Sequence, residues 1–322
     1  MTRRKIICSI LCCACLLTIA CKDKAASSKP TIRFAFQDRI GDALPIVAVA
    51  EDLFQKEGLA VHPLRFSSGP ACAEALYSGS ADIATMGDSA AIIAIARNPK
   101  LKIIASHCTG EHRHRLIVRS TSSVHDLQDL RGKRIGIKLG TSTHSGILAA
   151  LSAAGIPVKD VILMDLDPGL MPEALMAGSV DAIAASEPTP SLAELNDGRQ
   201  VATLGGLGNV YPIVLVAQTG VLEEREPEIL RFIAVLRRAE AFVQEHPDKT
   251  MQLLSDATGL PPVATKEAMQ RHTCRLVMDD TILDSLQKQA VFLTEQQTLP
   301  TAPDLAAAVT NRYLMIQPVN PK

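Results

Sequence analysis

Three short segments of the sequence combine hydroxyl side chains with glycine directly before a predicted helix. They are Ser67-Ser68-Gly69, Gly87-Asp88-Ser89 and Gly140-Thr141-Ser142-Thr143-His144. The first turn of a helix has unpaired backbone N–H groups and the positive end of the helix dipole, so such segments can bind an anion. Serine, threonine and aspartate are also ordinary N-cap residues, so each segment alone could be only a cap. If the three segments meet in one cleft, they predict an anion-binding site.

Two acidic residues, Asp88 and Glu187, are related by an internal repeat. Residues 74–82 recur as residues 173–181 at an offset of 99, with six of nine positions identical. Each copy predicts a helix that ends at glycine, which adopts the left-handed conformation cheaply, followed by a strand. The offset aligns the two carboxylates at equivalent strand-to-helix junctions, where they could contact a ligand. The alternative role for both is N-capping and packing.

Motifs for catalysis are missing from the sequence. It has no Gly-x-Ser-x-Gly elbow, no Asp three residues before a His, no Walker A loop and no Gly-x-Gly-x-x-Gly fingerprint. We therefore expect a protein that is not an enzyme and that needs no cofactor.

A histidine-rich segment offers a different function. Within eight residues lie His107, Cys108, Glu111, His112 and His114. The His-x-His spacing suits a chelate, so a metal-binding lipoprotein is the alternative hypothesis. Arg113 and Arg115 interleave with these residues and oppose a cation, and no second cluster completes four ligands. The simpler interpretation is a solvated basic loop that could assist an anion, with no metal site.

The elements that must position these residues alternate between strand and helix from residue 32 to residue 204. Apolar periodicity and stop signals predict helices over residues 45–57 and 124–130, among others, and a helical region after residue 223 with its longest helix over 229–245. Strands separated by single helices indicate a largely parallel sheet in each of two successive runs. Ligands of α/β sheets bind at the carboxyl ends of the strands, so the loops there are the candidate site.

The N-terminal segment predicts export. Arg3, Arg4 and Lys5 precede an apolar stretch over residues 6–19, which is too short to span a membrane and is typical of a signal peptide. Ala20-Cys21 directly after it resembles a bacterial lipobox, in which the Cys21 thiol is lipidated. Plain secretory cleavage near the same place is the alternative. We expect a signal peptide over residues 1–20 and a lipidated tether over residues 21–30.

Removal of the leader changes both charge and cysteine content. The full chain has 33 basic and 34 acidic side chains, and the mature part has 30 basic and 34 acidic ones, a net charge of −4. This balance argues against nucleic acid as a partner. Only Cys72, Cys108 and Cys274 remain after the lipobox. We expect three separate buried thiols, and one disulfide with a free thiol is the alternative.

Four segments of the mature chain resemble one family. They are FSSGPACAEALYSGSADIATMGDSA (66–90), LQDLRGKRI (127–135), GTSTH (140–144) and EALMAGSVDAI (173–183). They are similar to the periplasmic binding proteins of aliphatic sulfonate, taurine and nitrate-type ABC importers, and the resemblance runs from about Thr31 to Ala308. The family commonly places an aromatic ring, often Trp, beside its ligand, and this chain has no Trp.

The resemblance implies an α/β fold of the type II periplasmic-binding-protein class. Two α/β lobes would be joined by two crossover strands, near residues 116–119 and 211–217, with a ligand cleft between them. Lobe one would consist of residues 31–115 and 216–322, and lobe two of residues 116–215 with the hinge strands.

The resemblance also implies the residues that bind the ligand. They are Gln37, Ser68, Gly69, Asp88, Ser89, Thr141, Ser142, His144 and Glu187. The expected protein is a monomeric, lipid-anchored solute receptor in the periplasm or at the cell surface. It would deliver a small, anionic, sulfonate-like solute to an ABC permease of the inner membrane.

Overall fold

Two five-stranded β-sheets organise residues 31–315, the part of the chain that the computed structural model describes. The predicted signal peptide, tether and Cys21 lie outside these residues. The strands are β1 (Ile32–Gln37), β2 (Val61–Phe66), β3 (Ile83–Gly87), β4 (Leu101–Cys108), β5 (His114–Arg119), β6 (Arg134–Ile137), β7 (Ile162–Asp165), β8 (Ala182–Ser186), β9 (Gly198–Thr203) and β10 (Ile213–Gln218).

Helices cover both faces of the two sheets. They are α1 (Ala43–Ala50), α2 (Leu53–Lys56), α3 (Gly69–Tyr77), α4 (Asp88–Arg97), α5 (Ser142–Ala153), α6 (Met171–Met176), α7 (Thr189–Leu195), α8 (Thr219–Glu224), α9 (Glu226–Glu245), α10 (Pro247–Thr258), α11 (Pro262–Met269), α12 (Asp280–Glu295), α13 (Leu305–Ala308) and α14 (Arg312–Met315). Helices α8 to α14 form the predicted helical region, and α9 is its longest member. Within residues 31–315, no helix is both long and apolar enough to cross a membrane.

The two sheets have the same topology. The first has the order β2-β1-β3-β10-β4 and the second β7-β6-β8-β5-β9. Four strands of each sheet run in the same direction, while β10 in the first sheet and β5 in the second run antiparallel to both of their neighbours. The prediction of a largely parallel sheet is therefore correct for the direction of four of the five strands in each sheet. The chain passes between the sheets at residues 109–113 and returns at residues 204–212.

The internal repeat appears twice as the same local structure. Gly79 and Gly178 both have positive φ, of 69° and 74°, and end their helices as predicted. The aspartate three residues later accepts a hydrogen bond from the backbone N–H of an arginine in the neighbouring strand, at 2.8 Å in both copies. Each of these arginines also donates to the carbonyl of the repeat glycine. The repeat thus fixes one strand-to-strand junction in each sheet.

Two predicted helices differ from the structure. Residues 45–57 divide into α1 and α2 because Asp52 adopts a left-handed conformation, with φ 53°. Residues 124–130 contain only a 3-10 turn, Gln128–Leu130. Here the side chains of Asp126 and Asp129 accept the backbone N–H groups of Gln128 and His125, at 2.7 and 2.8 Å, and so replace the bonds of a helical turn.

The prediction of three separate thiols is wrong. Cys108 at the end of β4 forms a disulfide with Cys274, and Cys72 is the free, buried thiol of residues 31–315. The segment after α11 runs antiparallel to the end of β4 through the bridge between Thr109 and Thr273. This pairing joins residues 166 positions apart, so the spacing of the cysteines gave no sign of it.

Candidate functional site

A cavity of about 470 Å³ lies between the carboxyl edges of the two sheets. The last residues of four strands line it, namely Gln37, Phe66, Gly87 and Ser186. The first turns of α3 and α5 contribute Gly69, Ser142 and Thr143. The cavity thus lies where the alternation of strands and helices places a ligand site.

Six of the nine predicted ligand-binding residues line this cavity. They are Gln37, Ser68, Gly69, Thr141, Ser142 and Glu187. Asp88, Ser89 and His144 are not among the lining residues. Phe66 supplies a phenyl ring to the lining, in a chain that lacks Trp.

Asp88 is fully buried behind the cavity and holds Ser142 across the two sheets. Its carboxylate accepts hydrogen bonds from Ser142 Oγ, from Ser89 N at 2.7 Å and from Asn209 Nδ2 at 3.0 Å. Burial raises the pKa of Asp88, and the bonds from Ser142 and Asn209 oppose that rise. Because the Ser142 hydroxyl donates to Asp88, the same hydroxyl proton is not available to an anion in the cavity.

Ser89 and His144 also bond within the protein. Ser89 Oγ shares a hydrogen bond of 3.0 Å with Ser145 Oγ, which again joins the two sheets, and accepts one of 3.1 Å from Gln289 Nε2. His144 Nδ1 accepts from Gly140 N at 3.4 Å, so the ring lies back on its own loop. Thr141 is the N-cap of α5, since its side chain accepts from His144 N.

Glu187 lines the cavity, but its carboxylate is paired within the second sheet. Its Oε1 accepts from Arg115 Nη1 at 2.9 Å and its Oε2 accepts from Ser191 N at 3.3 Å. Arg115 also pairs with Glu194 and donates to Gln200. The one cation from outside this group is Arg271, whose Nη1 lies 4.0 Å from Glu187 Oε1. This carboxylate is thus neutralised, and it does not repel an anion as a free one would.

Arg113 is a cationic residue of the cavity that was absent from the predicted ligand-binding set. It lines the cavity, is 1% exposed and donates from Nη2 to the Tyr211 carbonyl at 3.1 Å, while its Nε has no partner among residues 31–315. Burial, with a smaller contribution from the charge of Arg39, lowers the pKa of Arg113 to about 9. The prediction that this segment is a solvated basic loop is wrong at Arg113. An anion beside its guanidinium would offset part of the cost of burying the charge.

The other cations that line the cavity already have carboxylate partners. Arg39 pairs with Asp42, Arg65 pairs with Asp38, and Lys138 Nζ lies 2.9 Å from Asp165 Oδ2. Within residues 31–315, no carboxylate forms an ion pair or hydrogen bond with Arg113. Arg113 thus presents to the cavity a guanidinium that no carboxylate pairs with, and Arg39 also lines the cavity with an Nη2 that has no partner within residues 31–315.

Arg113 and His114 reach the cavity because β5 runs antiparallel. The first residue of this strand, His114, pairs with Ser186, the last residue of β8. The start of β5 therefore lies at the same edge as the carboxyl ends of the parallel strands. The predicted ligand-binding residues all lie at the ends of parallel strands or in the helix starts that follow them, and the direction of a crossover strand was the missing signal.

The histidine-rich segment does not converge on a metal. Cys108 is disulfide-bonded, His107 is buried, and the exposed His112 lies 3.0 Å from Thr203 Oγ1. Residues 31–315 contain no group of three or more His, Cys, Asp or Glu side chains that could hold a metal ion. The alternative function as a metal receptor thus has no site among these residues.

Burial of His107 leads us to expect that the free energy of unfolding depends on pH. Burial lowers the pKa of its imidazole to about 4, with Asp42 opposing that shift. Because the unfolded chain binds this proton below about pH 6.5 and the folded chain does not, stability falls as the pH decreases from 6.5 towards 4. The loss is about 1.4 kcal/mol per pH unit from this residue. Urea unfolding between pH 7 and 4.5 gives the change of the free energy of unfolding with pH. In His107→Leu this change should be smaller than in wild type by about 1.4 kcal/mol per pH unit, and an unchanged slope would contradict the prediction. His112→Gln, on the surface, is the control and should keep the wild-type slope.

Comparison with known proteins identifies related sequences. The sequence model of the family described as "NMT1/THI5 like" matches residues 43–250. A putative aliphatic sulfonates-binding protein of Bacillus subtilis is 28% identical over 266 residues, which cover 82% of this chain and 80% of that protein. A taurine-binding periplasmic protein of Escherichia coli is 26% identical over 292 residues, which cover 83% and 88% of the two chains.

Comparison with solved structures identifies the same fold. The alkanesulfonate-binding protein of Xanthomonas axonopodis pv. citri, bound to MOPS, superposes with a TM-score of 0.80. The match covers 87% of this chain and 98% of that one at 24% sequence identity. The predicted periplasmic-binding-protein fold is thereby confirmed.

Proposed function

Because the chain belongs to the NMT1/THI5-like family, we propose that it is an extracytoplasmic solute-binding lipoprotein. It captures a small anionic solute of the sulfonate type and delivers it to an ABC permease of the inner membrane. The relatives that carry sulfonate- and taurine-binding names support this class of solute. The proposal includes a monomer, anchored through lipidated Cys21 in the periplasm or at the cell surface.

The observation that carries the proposal is the state of Arg113. Within residues 31–315 this guanidinium lines a cavity, is 1% exposed and has no carboxylate at ion-pair distance, so that only the charges of carboxylates beyond that distance, Asp88 and Asp42, compensate it. An anion in the cavity would form charge-assisted hydrogen bonds with it, which are the stronger ones in a site of low dielectric constant. The volume of about 470 Å³ is within the range of small-molecule sites.

The proposed mechanism is closure of two lobes around the solute. Lobe one consists of about residues 31–115 and 216–322, and lobe two of about residues 116–215, and the two separate five-stranded sheets support this division. Direct contacts across the cavity support a closed state, since Ser67 Oγ donates to Asp167 Oδ2 at 2.7 Å and Ser142 Oγ donates to Asp88. A solute that contacts both lobes would favour the closed state by its differential affinity for that state.

Isothermal titration with a panel of anions tests the proposal. Methanesulfonate, taurine, nitrate and acetate are titrated into the protein, with glucose and Zn²⁺ as a neutral and a cationic control. We expect a Kd of about 1 μM or lower for at least one sulfonate. Binding of glucose or Zn²⁺ with no binding of any anion at millimolar concentration would overturn the proposed function.

Gly87 gives a steric test of lobe closure. A methyl group at this position would lie 2.2 Å from Ser142 Oγ on the other side of the cleft, while the backbone φ of −69° accepts alanine. We expect Gly87→Ala to weaken solute binding about tenfold, because the variant must break the Ser142–Asp88 bond to close. Titration measures the effect, and Gly220→Ala, with open space around its Cβ, should bind like wild type. Equal affinity of the two variants would contradict closure at this contact.

A further inference from the structure

We infer that His114 is a specificity-determining residue, whose imidazole donates a hydrogen bond from Nε2 to a deprotonated oxygen of the solute. Thr143 is the positioning residue that selects this tautomer. The inference rests on the proposed function, because it assigns a role in the same cavity. Neither residue is among the ligand-binding residues predicted from the sequence.

The location of His114 places its ring at the floor of the cavity. The residue begins β5, pairs with the end of β8 and lines the cavity beside Arg113. It is 1% exposed, and its ring packs edge-on against Tyr211 at 4.7 Å between centroids. A side chain so enclosed has few rotamers, so the ring nitrogens have defined surroundings.

The hydrogen bond between Thr143 and His114 selects the tautomer of the imidazole. Thr143 Oγ1 lies 2.6 Å from His114 Nδ1, and this is the bond that the threonine hydroxyl makes within residues 31–315. If Thr143 donates, its proton and the Nδ1 lone pair are both satisfied, and Nε2 carries the remaining proton. The opposite assignment leaves the threonine proton and the Nε2 lone pair both unsatisfied. Since buried polar groups are normally paired, the first assignment is favoured.

The surroundings of His114 keep the imidazole neutral. Burial lowers its pKa well below the usual value, and the charges of Arg113 and Arg39 and the nearby His272 lower it further. The ring therefore offers one donor and no positive charge at neutral pH. Within residues 31–315 its Nε2 has no partner, which is the state expected of a donor that a ligand completes.

The oxygen that meets Nε2–H must accept a hydrogen bond. A sulfonate or carboxylate oxygen does so in every protonation state present at neutral pH. Arg113 also donates only, so these two neighbouring residues together favour an ionised oxyanion at the cavity floor. The Ser142 hydroxyl, which donates to Asp88, does not add a third donor.

Two measurements on the full protein test the inference. In ¹⁵N NMR spectra of ¹⁵N-histidine-labelled protein, the His114 signals should show the Nε2–H tautomer between pH 6 and 8. Titration of methanesulfonate should show an affinity that stays within about twofold over this pH range, because no imidazolium forms. The affinity should fall about tenfold in His114→Phe, which removes one hydrogen bond in a buried site.

The Thr143 variants separate positioning from folding. Thr143→Val is nearly isosteric and should populate the Nδ1–H tautomer and bind methanesulfonate more weakly, while Thr143→Ser should restore both properties. His112→Gln, which alters the exposed His112–Thr203 pair, is the matched control and should behave as wild type.

The outcomes distinguish this inference from the proposed function. An Nδ1–H tautomer or an imidazolium in the wild-type protein overturns the inference, whether or not methanesulfonate binds. Full affinity of His114→Phe for methanesulfonate overturns it as well, while the proposed function stands. If no anion of the panel binds to the wild-type protein, both the proposed function and the inferred role of His114 are overturned.

Discussion

Replacement of Arg113 by methionine is expected to weaken anion binding about 100-fold while it leaves the protein folded. The guanidinium lines the cavity and has no carboxylate partner within residues 31–315. Its loss removes the charge-assisted hydrogen bonds to the solute and leaves none of the carboxylates unpaired. Titration with the sulfonate that binds best in the wild-type protein measures the effect.

The stability of Arg113→Met is the second part of this prediction. Methionine of similar volume needs no desolvation of a charge, and a buried charge without a strong partner contributes little stability. The one bond lost is the 3.1 Å bond to the Tyr211 carbonyl. We expect the free energy of unfolding to stay within about 1 kcal/mol of wild type in urea titrations. Arg131→Met, at an exposed ion pair with Asp160, is the control and should bind normally. Arg113→Met that binds within threefold of wild type would remove Arg113 from the site.

Much of the fold could be predicted because its signals are local. Short windows of sequence show the alternation of strands and helices and the long helix near residues 229–245. They also show the repeat, whose helices end at Gly79 and Gly178. The 124–130 segment could not be predicted in this way, because Asp126 and Asp129 bond to nearby backbone N–H groups and compete with a helix. The Cys108–Cys274 disulfide depends on how the C-terminal region packs on β4, which no spacing reveals.

The site could be predicted in part, from the loops that follow parallel strands. Gln37, Ser68 and Thr141 line the cavity because strand ends and helix starts meet there. Arg113 and His114 were absent from the predicted ligand-binding set because they lie at the start of an antiparallel strand, and the direction of that strand is a property of the whole sheet.

The internal repeat shows where equivalent positions cease to be equivalent. It aligns Asp88 with Glu187, yet Asp88 lies behind the cavity and accepts from Ser142 and Asn209, whereas Glu187 lines the cavity and pairs with Arg115. The repeat fixes the backbone position of each of these acidic residues. The hydrogen-bond and ion-pair partners of their side chains come from elements that the repeat does not include. Charge balance in the cavity therefore depends on Arg115, which lies outside the repeat and directly after the histidine-rich segment.

Arg115→Met, unlike Arg113→Met, is expected to destabilise the folded protein. Glu187 would remain buried, with its side chain 0% exposed, after the loss of the guanidinium that lies 2.9 Å from it. Breaking a buried pair by removal of one partner costs about 3–5 kcal/mol of unfolding free energy. Urea unfolding at pH 7 measures this loss, and a change below about 1 kcal/mol would contradict the assigned pairing.

The double variant Arg115→Met with Glu187→Gln distinguishes the effect of the Arg115–Glu187 ion pair from that of the other contacts of Arg115. Glutamine retains an oxygen for the Ser191 N–H and carries no charge, so most of the lost stability should return. Binding should follow the same order, because Glu187 without Arg115 keeps only the more distant Arg271, at 4.0 Å, and would repel an anion from the cavity that it lines. We expect weak binding in Arg115→Met and recovery to within about fivefold of wild type in the double variant. If the double variant is as unstable as the single one, Arg115 stabilises the protein through its ion pair with Glu194 and its hydrogen bond to Gln200 rather than by neutralising Glu187.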